Sequence, residues 1–309
     1  MPTKPLETVL YRELSIIQAK EIINIASPLL SEIVNYGSNV IIRCATAVKG
    51  KENENLAPIA LYRHILELVD GVDVLISKAC PAPAIPLLRS SFEALLSLAY
   101  ITEKSDTYVQ RSLSWIFNYA KHRKEIYETL LLTTDLGKEV HKSIEEDKMM
   151  RDFPLPPSDK VQEAIDNLEN FTEREQFNEV RIEFNRLKKK FGRRLHWYAL
   201  FDGPTSLYKL AKHLKRNAQY DVLYKEWSFS THAMDFQFFI GHTPDGEPGI
   251  RGLRDVSTIS EVTFFACTLL IDSTRLLLNQ FRPGETWGNW YKSEVRDRYR
   301  FITQHMSRK

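Results

Sequence analysis

Apolar residues recur at spacings of three and four along almost the whole chain, and the alternation that marks a strand is hard to find. That pattern predicts helices over 6–26, 29–48, 57–79, 84–102, 105–132, 135–149, 159–169, 172–191, 204–214, 218–240, 255–281 and 286–305. The punctuation fits in several places. Pro58 and Pro86 sit near first turns, Ser158-Asp159 precedes a helical run, and Thr172-x-x-Glu175 reads as a capping box. Pro81-Ala82-Pro83 breaks the chain between two apolar helices, which so short a turn should pack as an antiparallel hairpin. The segment from Gly241 to Gly252 holds His242, two prolines and four glycines. It cannot be helical and reads as a connector, in a position where loops also cover sites.

The fold class expected is all-α, a helical bundle with a charged helical insertion. Residues 1–56 supply N-terminal helices that pack on the bundle. Residues 57–132 and 195–282 form its core, 133–194 the insertion, and 283–309 a C-terminal helix or tail. The insertion is marked by high charge, few apolar positions and the break Phe153-Pro154-Leu155-Pro156-Pro157.

Composition narrows the function classes. The chain has 309 residues, 43% hydrophobic and 27% charged, which is ordinary for a globular protein. A net charge of +2 argues against a surface built as a whole for polyanions. Cys44, Cys80 and Cys267 are isolated, with no CxxC pair, so neither a disulfide framework nor a zinc site is expected and a reducing cytoplasm fits best. No apolar run like a signal peptide follows the first residues. The longest apolar run, Val262 to Ile271, falls well short of the roughly 20 residues that span a bilayer, so no membrane partner is expected.

Two polar columns interrupt the apolar pattern. Arg89 and Glu93, four apart, are the only charges between Ala84 and Ile101. Tyr224, Ser228 and His232 follow one another at spacings of four. Residues four apart share a helix face, so each set forms a stripe. A charge in an apolar interior is costly unless paired, and the second column is a plausible answer to the first. One reading makes Arg89 and Glu93 an internal pair that fixes helix register. The other aims the Arg89 fork at a phosphate or carboxylate, with Glu93 holding it. His232, beside two hydroxyls, is suited to giving or taking a proton near neutral pH.

Other signals are weaker. Arg181, Arg186, Lys188, Lys189, Lys190, Arg193 and Arg194 face only Glu183. That run is either a solvated helix face or a surface for a phosphate backbone, with Lys188, Lys189, Lys190, Arg193 and Arg194 its contacts. Trp287, Trp290, Tyr291 and Tyr299 lie among arginines near the C-terminus. Positions 287, 291, 295 and 299 share one helical face, so docking on the bundle is favoured over stacking on bases. His64 and Glu67 have the spacing of half a di-iron site, but no second pair exists, so no metal is expected. Phosphate-binding loops, dinucleotide fingerprints and nucleophile elbows are absent, and no cofactor is expected.

The stretch Leu61 to Ile101, with "LYRHILELVDGVDVLI" and "LLRSSFEALLSLAYI", resembles the helical hairpin of the DUF5677 family. A second stretch, "WYALFDGPTSLYKLAKHL" then "YDVLYKEWSFSTHAMD", resembles that family's other signature. The resemblance covers roughly 57–275 and puts Arg89, Glu93, Tyr224, Ser228 and His232 on the family's recurring polar positions. It implies a helical fold and no assigned activity. A looser similarity is to HEPN domains, helical bundles of toxin and phage-defence proteins, many of them metal-independent endoribonucleases. Their motif has an Arg and a His separated by four to six residues on one helix. Here six residues separate Lys225 from His232, but 225 is Lys where the motif has Arg, so Arg89 from another helix would have to supply the guanidinium.

Two readings follow. In one, the protein is a metal-independent ribonuclease of toxin or defence type acting on RNA, with His232 as proton shuttle, Arg89 on the phosphate, Tyr224 and Ser228 orienting and Glu93 positioning Arg89. In the other, a non-enzymatic helical module binds a small anionic ligand or a protein partner through the Arg89/Glu93/His232 pocket. A homodimer and a protein partner such as an antitoxin are the associations expected.

Overall fold

The computed structural model describes residues 10–48, 52–192, 195–232, 239–242 and 245–306. It is an all-α helical bundle, with a single two-stranded sheet among the described residues. The chain forms two compact units, Met1–Glu103 with Leu210–Lys309, and Lys104–Lys209. The second unit is therefore wider than the 133–194 insertion expected from charge alone.

The first unit is built on α2 (Lys20–Ala47), α3 (Glu52–Ser77), α4 (Ile85–Ile101) and a long later helix, Ile259–Phe281. On α2 the buried positions include Ile23, Ala26, Leu30, Ile33, Gly37, Val40 and Cys44, at alternating spacings of three and four. That seam lets α2 lie along α3 and the Ile259–Phe281 helix. Each fully buried Leu or Ile contributes about 1.5–3 kcal/mol. Gly37 permits the close approach: a Cβ there would stand 2.5 Å from Leu66 Cδ2 and 2.7 Å from the Tyr62 hydroxyl. Tyr62 is fully buried and its hydroxyl bonds Thr274 Oγ1 at 2.8 Å, tying α3 to the last core helix. Helices α3 and α4 pack as the expected hairpin. Ala79, in the left-handed region at φ 53°, closes α3, with Cys80 N–H donating back to Leu75 O at 2.9 Å.

Short α1 (Arg12–Gln18) precedes α2, and the junction is at Ala19, not at Pro28 as the expected helices 6–26 and 29–48 imply. Pro28 lies inside α2, where burial of Ala26, Leu29 and Leu30 outweighs the missing N–H bond. The C-terminal aromatics dock as expected. Trp290 stacks on Tyr36 with ring centroids 3.8 Å apart and donates to Glu32, and Tyr299 bonds Thr268 at 2.8 Å and packs on Phe264.

The second unit holds α5 (Tyr108–Glu128), α6 (Asp135–Glu146), α7 (Ser158–Thr172) and α8 (Asn178–Phe191). Its centre is Phe117, fully buried, between Phe177 and Phe184. Helix α9 (Leu207–His213) straddles the division between units. Two expected caps are corrected. Thr172 closes α7, its hydroxyl donating to Glu169 O, so it opens no capping box. Ser158 is already helical, after an uncapped Pro157.

Within the helix expected over 218–240, α10 (Lys225–Thr231) closes at His232, positions 233–238 lie outside the described residues, and Ile240 begins a strand. Strands β1 (Ile240–His242) and β2 (Pro248–Ile250) pair antiparallel, so the glycine-rich connector is a small hairpin. The Ile259–Phe281 helix is α11 and Arg296–Met306 is α12, which packs on α11 and α2. Among the described residues, one stretch, Ala82–Ile101, is long and apolar enough to cross a membrane, and 61% of its apolar window is buried within the fold.

Candidate functional site

Helix α4 starts with Pro86 in its first turn, where a missing N–H costs nothing, and keeps regular spacing through Arg89 and Glu93. The two side chains therefore share one face. They are not sealed in the interior, as the apolar surroundings suggested: Arg89 is 21% exposed and Glu93 44%. Opposite them, α10 is preceded by a π-helical turn, Tyr220–Tyr224. Single π turns are rare and occur often at functional sites. Here the turn stacks Tyr220 on Tyr224, centroids 4.8 Å apart, and turns the buried Tyr224 towards α4.

The two expected columns meet. Arg89 Nη2 donates to the Tyr224 hydroxyl at 3.0 Å, and that hydroxyl donates to Glu93 Oε1 at 2.8 Å. The guanidinium carbon lies 5.1 Å from the Tyr224 ring centre, within cation–π range. Arg89 Nη1 stands 3.3 Å from His232 Nε2. A guanidinium only donates, so in this contact Nε2 must accept, and the neutral ring carries its proton on Nδ1. Arg89 Nε is 3.4 Å from Glu93 Oε1, close enough for charge attraction. Its N–H is nonetheless shut from solvent without a hydrogen-bond partner. Such an orphaned donor costs about 1–3 kcal/mol.

Burial pushes the Tyr224 phenol above its ordinary value. Arg89 opposes that rise and Glu93 adds to it. The phenol therefore keeps its proton at neutral pH and relays a bond from cation to carboxylate. Arg89 is held further in its charged form, chiefly by the Tyr224 hydroxyl.

His232 caps the C-terminal end of α10, its backbone N–H donating to Ser228 O at 3.1 Å, and its ring is exposed. Tyr224, Ser228 and His232 line one open cleft of about 340 Å³ with Tyr220, Lys225 and Phe229. The column is thus a gradient from a buried phenol to a wet imidazole. Tyr220, Lys225 and Phe229 were not foreseen. Tyr220 extends the four-residue spacing one turn back, which the sequence does display, whereas nothing separates Phe229 from an ordinary core aromatic until its 48% exposure is seen.

The basic run of the second unit is more tied down than its sequence suggests. Glu183 is buried and takes both forks of Arg186, at 2.7 and 2.8 Å, while accepting the Phe201 backbone N–H at 3.1 Å. Arg186 holds its carboxyl below the ordinary range. Arg181 pairs with Glu173, and Lys188 with Glu125. Lys189 and Lys190 are exposed, and Arg193 and Arg194 lie outside the described residues. His64 and Glu67 are both on the surface, Glu67 paired with Arg63. No three His, Cys, Asp or Glu side chains converge among the described residues.

No curated protein and no solved structure matches the chain. One family model does, over residues 55–248, ending short of the 275 that the sequence motifs suggested. That span takes in both polar columns and most of the length, and the chain belongs to this family of unknown function, DUF5677.

Proposed function

We propose that the cleft cleaves RNA without a metal ion, with His232 and Arg89 as the reacting pair. The observation that carries this reading is the 3.3 Å approach of Arg89 Nη1 to His232 Nε2 beside an open cleft. A phosphate entering the cleft draws the guanidinium from the imidazole and frees Nε2. The neutral imidazole takes the proton of the 2′-hydroxyl, whose oxygen attacks phosphorus. Arg89 stabilises the charge that gathers on the phosphate oxygens. The 5′-oxygen leaves and is protonated through solvent, giving a 2′,3′-cyclic phosphate and a 5′-hydroxyl end. Tyr224 and Glu93 hold Arg89, Ser228 lies within the cleft wall to orient the phosphate, and the half-exposed Phe229 offers a face for a base. Lys189 and Lys190 offer charge for the RNA backbone, as do Arg193 and Arg194, while Lys188 would have to leave Glu125 to join them. In this reading the protein acts in the cytoplasm as a toxin or defence effector, as a homodimer or with an antitoxin that restrains it.

The test is incubation of the purified protein with single-stranded RNA in EDTA, beside His232→Ala and Arg89→Ala. Cleavage by the wild type with cyclic-phosphate ends, reduced in both variants, is expected. Equal background in all three sinks the proposal.

A second reading, a module that binds a small anion without chemistry, draws on Arg89 Nη1, whose 3.3 Å contact is to an exposed imidazole. Inorganic phosphate that raises the melting temperature of the wild type but not of Arg89→Ala, with no cleavage, would favour it.

A further inference from the structure

Behind the polar site lies a separate cavity of about 220 Å³, walled by Leu95, Leu223, Trp227 and Leu269. Phe92 belongs to its lining and also packs against Tyr224, so this ring stands between cavity and polar site. The charged residues in its lining are Arg216 and Asp272. Asp272 accepts from Arg216 on one carboxylate oxygen and from Arg275 on the other. Arg275 is no part of that lining and is 59% exposed, so its charge faces water and the cavity itself meets the Arg216–Asp272 pair, shielded from solvent at 15% and 17% exposed. The remaining bond of Arg216, from Nη1 to Gln219 Oε1, is long at 3.3 Å and is made to a neutral amide. An anion would serve Nη1 better, because charge-assisted bonds to guanidinium are about twice as strong as neutral ones.

Size and chemistry select the occupant. An apolar cavity of roughly 150 Å³ holds a benzene ring, so this one accommodates such a ring with a short substituent. We propose that the cavity binds a small aromatic monocarboxylate, its ring among Leu95, Leu223, Trp227 and Leu269 and its carboxylate on Arg216. Both oxygens of Asp272 are already engaged by arginines, which leaves no free acceptor for a cation, and a simple inorganic anion would leave the apolar walls unfilled. This site is independent of the RNA reading, since it uses neither Arg89 nor His232.

Calorimetric titration of the full chain with phenylacetate, 2-phenylethanol and acetate tests the assignment. Phenylacetate should bind saturably, one per chain, at least tenfold more tightly than either the neutral alcohol or acetate. Arg216→Gln should erase the preference for phenylacetate over the alcohol. Leu223→Trp should abolish binding of both aromatic compounds by filling the cavity. Circular dichroism checks that each variant is folded, and if Leu223→Trp is not, Arg216→Gln alone decides. Equal affinity for acid and alcohol, a preference that survives Arg216→Gln, or no saturable binding would each overturn the proposal.

Discussion

Arg43 and Arg89 make almost the same local arrangement with opposite outcomes. Each guanidinium lies over a tyrosine ring, Tyr36 at 5.7 Å and Tyr224 at 5.1 Å, and each has a glutamate beside it. Around Arg43 the carboxylate is fully engaged. Nε and Nη2 both donate to Glu285 Oε1, at 3.1 and 2.7 Å, while Arg282 occupies Oε2 and Trp290 covers the Tyr36 ring. Around Arg89 the set is incomplete. Nε has no hydrogen-bond partner, Nη1 meets an exposed imidazole, and the Tyr224 ring borders a cleft. A guanidinium whose carboxylate is fully engaged clasps helices together, and one whose Nη1 meets an exposed imidazole at a cleft wall can turn to a ligand.

Alanine at each arginine breaks the comparison most sharply. Arg89→Ala should lower RNA cleavage by about 100- to 1,000-fold, the usual cost of losing one group that stabilises transition-state charge. Because Glu93 is nearly half exposed, the same change should cost only about 1 kcal/mol in urea unfolding. Arg43→Ala should do the reverse, leaving cleavage within about twofold while costing about 1–2 kcal/mol, since it strips a part-buried carboxylate of one of its two arginine partners. A loss near 3–5 kcal/mol at Arg89 would mark it instead as a buried structural lock.

Tyr224→Phe sharpens the role of the relay. It removes the hydroxyl between Arg89 and Glu93 but keeps the ring under the guanidinium. Cleavage should fall by about tenfold, matching roughly 1.4 kcal/mol of lost positioning, with the wild-type melting temperature nearly kept. An unchanged rate would mean that Glu93 alone holds Arg89.

Acid should separate the closed arginine from the open one. Arg43 holds the Glu285 carboxyl below its ordinary value, with Arg282 assisting. A depressed carboxyl contributes stability that is complete above the unfolded-state value, about pH 4.3, and is lost as pH falls through the lower folded-state value. The melting temperature of Glu285→Gln should therefore lie below wild type at pH 6 and converge on it under acid. A gap that stays constant would show that charge plays no part in the clasp. The smallest effect is expected at Lys215, exposed and left-handed at φ 57°, immediately before Arg216. Lys215→Gly should stabilise by about 0.5 kcal/mol, since the left-handed penalty of about 1–2 kcal/mol exceeds the extra entropy glycine loses. Destabilisation would mean that the side chain makes a compensating contact.

Much of this was legible in the chain. The three-and-four seam of α2, the α3–α4 hairpin and the docking face of Val295 and Tyr299 all follow from periodicity. So do both polar columns, because spacing four on a helix fixes a shared face. What escaped depended on competition between local and distant forces. Pro28 reads as a break until its neighbours are seen to be buried. The acids that answer Arg181 and Lys188 lie 8 and 63 residues away, so the run looked less neutralised than it is. The β1–β2 hairpin carries too few residues for alternation to register.

By itself the sequence determined a helical bundle and placed Arg89, Glu93, Tyr224, Ser228 and His232 on two stripes, because helical period is a local property of the backbone. Only the tertiary structure decided that these stripes face each other across a π-helical turn, that Arg43 shares a fully engaged carboxylate while Arg89 meets an exposed imidazole, and that the imidazole is wet while the phenol is dry. Those outcomes depend on distances between residues more than a hundred positions apart, and hydrogen-bond satisfaction and solvent access exist only once such distances are set.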